Sequence, residues 1–145
     1  MTPYRFGWRS KMKLATADER WLPVCYAVIN HFDFSVLHGF RWREEQDALV
    51  EAGYSKTPWP LSDHNRNRYG ENRPGSLAID VAPYRDGGID WSDTPAFVAL
   101  YGMLRQAAHS EGLIIAWGGD WDQDDQFIKD QTFNDLGHVW IVGEV

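Results

Sequence analysis

Of the five histidines in the sequence, two stand where a loop-rich stretch meets a strand-like one: His64 in "LSDHNRN" and His138 in "DLGHVWIV". Rigid strands aim side chains into clefts from such places, so these are the histidines with chemical potential. A lone histidine is ordinarily a hydrogen-bonded structural or surface residue, and His31, His38 and His109 are read that way. Asp80, in "SLAIDVAPY", sits mid-strand among apolar residues. An unpaired carboxylate there would cost several kcal/mol of desolvation, so a cation or a set of donors belongs beside it. Asp135 lies three residues before His138, close enough for a carboxylate and an imidazole to reach one small volume. Two imidazoles and one carboxylate, with a fourth position left to water, make the ligand set of a catalytic zinc. A structural zinc site would draw on several cysteines, and the chain has only Cys25. Zinc lowers the pKa of its bound water to about 7. A nearby carboxylate can then take the proton as the oxygen attacks a carbonyl, and Asp135 is the candidate for that base.

The elements that position these residues follow from local patterning. The segment 18–31 reads as a helix with Asp18 as its cap and Trp21, Leu22, Cys25, Val28 and Ile29 on one stripe. "FSVLHGF" reads as a short strand ending at Gly39, and "REEQDALVEAG" as a helix stopped by Gly53. "SLAIDVAPY" alternates Leu77, Ile79 and Val81 against Ala78, Asp80 and Ala82, which suits a strand with Asp80 opposite the isoleucine face. The surest helix is "DTPAFVALYGMLRQAAHSEG", with a cap at Asp93, Pro95 in its first turn and an inner stripe of Phe97, Leu100, Tyr101, Leu104 and Ala108. "LIIAWG" and "HVWIVGEV" are further strands. Helices and strands mix without a strict βαβ rhythm, so the expected fold is α+β, a small antiparallel sheet packed with about three helices.

One domain over residues 1–145 fits this length, and 43% hydrophobic with 24% charged residues is a globular composition. Eight Trp and six Tyr exceed what a core of this size usually needs, which puts some of them along a cleft. A net charge of −7 argues against a generic grip on nucleic acid or an anionic membrane. Cys25, alone in "WLPVCYAVI", forms no internal disulfide and reads as a buried apolar residue. No apolar run reaches membrane-spanning length, and "MTPYRFGWRSKMK" lacks the apolar stretch of a signal peptide. The expectation is a monomer kept in the cytoplasm unless something else releases it.

"SDHNRNRYGENRPGSLAID" resembles the Ser-x-His…Gly-x-Ala-x-Asp element of zinc peptidases that cut peptidoglycan stem peptides, and "DLGH" resembles their Asp/Glu-x-x-His element. That group holds D-alanyl-D-alanine dipeptidases and carboxypeptidases, together with the L-alanyl-D-glutamate endopeptidases that bacteriophages use as endolysins. "RSKMKL", "DFSVLHGFRWREEQDALVEAGYS" and "GLIIAWGGDW" match further elements in the same order, and the Trp-Gly-Gly-Asp-Trp run is similar to the phage branch. The resemblance implies that His64, Asp80 and His138 bind one zinc ion and that Asp135 is the general base. It implies that Arg41 stabilises the oxyanion or holds a substrate carboxylate. Ser62, Gln46, Trp117, Asp120 and Trp121 would border the substrate cleft. The implied activity is host lysis by cleavage of the L-alanyl-D-glutamate bond, the enzyme waiting in the host cytoplasm until a holin releases it to the wall. D-Ala-D-Ala hydrolysis by the same zinc residues is the alternative, and a wall-binding module with a degenerate site is the reading from another class. A glycosidase built on Glu44, Glu45 and Asp47 is disfavoured, because these read as a solvated helix face.

Two departures from the family pattern carry expectations of their own. Fifteen residues, 65 to 79, separate His64 from Asp80 where the family has far fewer, and Ser76 stands in place of its glycine. Residues 65–75 therefore read as an insertion between two ligands, a substrate-side flap whose Arg66, Arg68 and Arg73 meet the acidic groups of the stem. Loop closure costs only ~0.6 kcal/mol per doubling of length, so such an insertion need not disturb the site. In "HVW", a valine and a tryptophan follow His138 where relatives carry an aromatic and then an acidic or amide residue, which bears on the contacts around that ligand. "GGDWDQDD" also admits calcium at Asp120, Asp122 and Asp124, although Asp125 occupies the place of the EF-hand glycine and Gln131 that of its bidentate glutamate.

Overall fold

The computed structural model describes residues 4–145, so the first three residues of the basic opening segment lie outside it. In chain order the elements are α1 (Trp8–Leu14), α2 (Trp21–Ile29), β1 (Phe34–His38), α3 (Arg43–Glu51), β2 (Ala78–Pro83), α4 (Thr94–Ser110), β3 (Leu113–Gly118) and β4 (Asp135–Glu144). The strands form one antiparallel sheet in the order β1-β2-β4-β3, and the fold is α+β.

The long helix α4 follows its sequence signals. The Asp93 side chain accepts from the Ala96 amide, proline stands in the first turn, and Phe97, Leu100, Tyr101, Leu104 and Ala108 are buried. It packs on α2 and on the sheet, enclosing Trp21, Val24, Ile79, Val81, Trp117 and Val139 in one core. Helix α3 is followed by Gly53 at φ +81°, the left-handed C-terminal turn that glycine tolerates best.

Three local expectations need correction. The second helix starts at Trp21 rather than near residue 18, and Asp18 does not cap it. Its carboxylate instead takes the Arg20 amide and the Arg20 guanidinium, at 2.9 Å for Nε to Oδ1 and 2.9 Å for Nη2 to Oδ2. Burial raises the Asp18 pKa, yet these bonds outweigh it and the net shift is downward. On the same helix Val24, not Leu22, completes the buried stripe; Leu22 is exposed. The last strand begins at Asp135, earlier than the apolar run suggests, because β3 continues to pair with it there. An additional short helix, α1, packs against β1 and buries only Ser10 and Leu14, too narrow a stripe to stand out among its polar residues. No helix among the described residues is long and apolar enough to cross a membrane.

Candidate metal centre

Strand register assembles most of the site. His38 pairs with Asp80 across β1 and β2, and Asp80 pairs with His138 across β2 and β4, so the three lie in one row across the sheet. Directly opposite residues share a face, which brings their side chains together. His64 arrives from the long β1–β2 connection. Its carbonyl accepts from the Arg41 amide at 2.8 Å, its amide donates to Ser62 Oγ at 3.2 Å, and its Nδ1 lies 2.8 Å from the Gly39 carbonyl.

A carbonyl only accepts, so His64 Nδ1 carries the proton. Burial lowers the His64 pKa and keeps the ring neutral, which leaves Nε2 with a lone pair aimed inward. That atom is 3.2 Å from Asp80 Oδ1 and 3.2 Å from His138 Nδ1, and the third edge, His138 Nδ1 to Asp80 Oδ1, is 3.3 Å. Zinc bonds of about 2.0–2.1 Å in tetrahedral geometry place neighbouring ligand atoms about 3.3 Å apart. The triangle is therefore one face of a zinc-sized tetrahedron. Electron-rich atoms converging in a mostly buried place call for a cation, and these residues fit a divalent metal.

Asp80 is held as an anion. Burial alone would raise its pKa, but the imidazoles of His64, His138 and His38 around it hold it well below the usual carboxylate range. Its Oδ2 is 3.0 Å from His38 Nδ1 and accepts from Arg41 Nη2 at 3.2 Å, leaving Oδ1 for the triangle. Arg41 also donates from Nη1 to Gln46 Oε1 at 3.0 Å. Gln46, fully buried, donates in turn to Ser55 Oγ at 3.0 Å and to the Thr57 carbonyl at 2.6 Å. It thus ties α3, Arg41 and the 55–57 segment into one unit rather than bordering the cleft itself.

A cleft of about 540 Å³ opens on the triangle, bordered by Arg41, Ser62, His64, Trp121, Asp135 and His138. Asp135 reaches it because β4 bulges: β3 advances one residue, Trp117 to Gly118, while β4 advances four, Val139 back to Asp135. In an unbroken strand, residues three apart would face opposite sides; the bulge turns both Asp135 and His138 inward. Burial raises the Asp135 pKa, the Asp80 charge adds to this, and His138, His64 and Arg41 oppose it.

The structure places the remaining expected residues differently. Trp117 is a core residue, 1% exposed, stacked on Tyr101 and donating to the Leu136 carbonyl, so it does not form the cleft wall. Asp120 is also buried away from the cleft, its carboxylate accepting the Asp124 and Asp125 amides and so shaping its own loop. Asp120, Asp122 and Asp124 do come near one another, but with Asp120 committed to that turn nothing supports calcium there. The inserted loop is not a flap. Gly75 donates to Thr16, Asp18 to Ser76, Arg68 pairs with Glu19 and Arg73 with Glu71 inside the loop, which lies beside Ala15–Glu19 of the α1–α2 turn; no residue of 65–75 borders the cleft. The aromatic wall comes instead from Trp121, stacked on Phe133 and on Trp140, whose rings flank His138. His38, Phe133 and the buried Asn65, which donates to the Arg41 carbonyl, have no distinguishing sequence signal. Only register and packing reveal them.

The family model for phage L-alanyl-D-glutamate peptidase matches residues 2–142. The chain belongs to that family. The L-alanyl-D-glutamate peptidase of Escherichia phage T5 is 30% identical over 144 residues, covering 96% of this chain and 98% of that protein. The crystal structure of the Serratia marcescens L-Ala D-Glu endopeptidase ChiX superposes with a TM-score of 0.70 at 24% identity, over 96% of this chain and 91% of that one, and so shares the fold. As a member of the L-alanyl-D-glutamate peptidase family, the chain is a hydrolase of peptide bonds.

Proposed function

We propose that the chain is a zinc-dependent endopeptidase that cuts the L-alanyl-D-glutamate bond of peptidoglycan stem peptides, with His64, Asp80 and His138 as the ligands of one ion. The observation that carries the metal is the triangle of ligand atoms at 3.2, 3.2 and 3.3 Å opening onto a cleft that Asp135 also borders. A bound zinc ion supplies Lewis acidity toward the scissile carbonyl and an acidified water. Asp135 takes the proton from the attacking water and returns it to the departing amide nitrogen, so that one amide and one water become a carboxylate and an amine. Its raised pKa suits a group that must both accept and release a proton. Arg41 keeps Asp80 turned with Oδ1 toward His64 and His138, and its positive charge at the cleft border would favour a developing oxyanion without a direct hydrogen bond.

The partner is the stem peptide of the wall, and the activity fits host lysis by a phage, with a monomeric enzyme held in the host cytoplasm until a holin opens the way out. Digestion of purified Gram-negative sacculi tests this. The expected products are new N-terminal D-glutamate and intact glycan strands, from protein carrying about one zinc that His138→Ala no longer retains. Free D-alanine as the sole product selects a carboxypeptidase, new reducing sugar ends a glycosidase, and adsorption without cleavage a binding module.

A further inference from the structure

The bond assigned above has an anionic leaving side. A glutamyl residue has two carboxyl groups, and continuing the peptide uses only one. The other remains a carboxylate within four bonds of the amide nitrogen, so a cleft selecting this residue gains from a cation on that side.

Among the described residues bordering the cleft, the lysine and arginine side chains are Arg41 and Lys56. Arg41 is already spent on Asp80 and Gln46, its Nε is buried without a partner, and its side chain is only 12% exposed. His38, His64 and His138 all lie against Asp80. The arginines of the inserted loop pair with Asp63, Glu19 and Glu71. Lys56 is different: it is exposed and makes no ion pair among the described residues. Its backbone is nonetheless fixed on both sides, since Ser55 Oγ and the Thr57 carbonyl both accept from the buried Gln46 amide, the group that also orients Arg41. A free ammonium on a flexible stem is thus carried by an anchored backbone at the border of the same cleft, ready for an anion that arrives from solvent.

We propose that Lys56 binds the free carboxylate of the glutamyl residue on the leaving side and sets a preference for the acid over its amide. This rests on the endopeptidase reading above. Two synthetic stem peptides differing only in a carboxylate or a carboxamide at that residue test it, with kcat and KM measured on zinc-loaded enzyme. Wild type favours the acid. Lys56→Gln lowers the acid-to-amide ratio of kcat/KM by about tenfold or more, chiefly through KM and at unchanged zinc content, whereas Lys56→Arg restores most of it. An unchanged ratio in Lys56→Gln, even with both rates lowered, overturns the role of Lys56 alone. Wild type that cleaves neither peptide overturns the endopeptidase reading and this proposal with it.

Discussion

At the scale of the residue, Asp80 shows how one carboxylate divides its two oxygens. Oδ2 is taken by His38 and Arg41, so Oδ1 is directed at the histidine pair, as the proposed single-atom ligand role requires. Asp135 is different in kind: no ion pair among the described residues engages it, it borders the cleft, and burial raises its pKa. A ligand and a base are separable by substitution. Asp135→Asn keeps the shape and the metal but cannot accept the proton, so zinc content stays near one equivalent while kcat falls about 10²-fold or more. Loss of zinc in that variant would make Asp135 a ligand, and undiminished turnover would remove it from the reaction.

At the scale of the element, the β3–β4 bulge decides whether Asp135 and His138, the proposed base and ligand, share a face. Gly118 stands at its pinch point, where a Cβ would overlap the Asp135 carbonyl and crowd the Asp135 side chain. Backbone cannot yield there as a flexible side-chain tip would. Gly118→Ala therefore costs about 1–3 kcal/mol of stability, the range for overpacking, and displaces Asp135 from the cleft. Thermal unfolding and turnover measured together check this: both fall, and the activity deficit persists at temperatures where the variant is fully folded. A variant with wild-type turnover would show that the strand end adapts without moving the base.

At the scale of the whole molecule, the site joins segments distant in sequence: the β1 end, the 55–64 connection, the middle of β2 and the start of β4. A cation held by His64, Asp80 and His138 would cross-link the sheet to its longest connection, and binding to the folded state alone adds stability by mass action. Free metal at a hundredfold over its dissociation constant contributes about 2.7 kcal/mol. For a chain of this length that corresponds to roughly 5–10 °C in Tm. Removing metal with a chelator should lower Tm by that amount, and adding zinc back should restore it. His64→Ala should lose the response, since His64 is the proposed ligand that comes from the connection. An identical Tm with and without chelator would show that the triangle holds no ion in the folded protein.

Much of this protein is determined locally. The caps and stripes of α4, the alternation around Asp80 and the stop at Gly53 are short-range patterns, legible because hydrogen-bond periodicity and burial act over a few residues. The residue types of the metal triangle are legible too, since a carboxylate in an apolar strand requires a partner. What only the tertiary structure decided is long-range. His38 joins the site because register sets it opposite Asp80, and nothing within "SVLHGF" encodes that pairing. Trp117 and Asp120 turn into the core and into their own loop, where local sequence placed them at the cleft. The inserted loop packs on the α1–α2 turn, against Thr16 and Glu19, instead of closing over substrate. Each outcome depends on which distant surface offers the partner, a choice made by the packing of the whole chain and not by the segment itself.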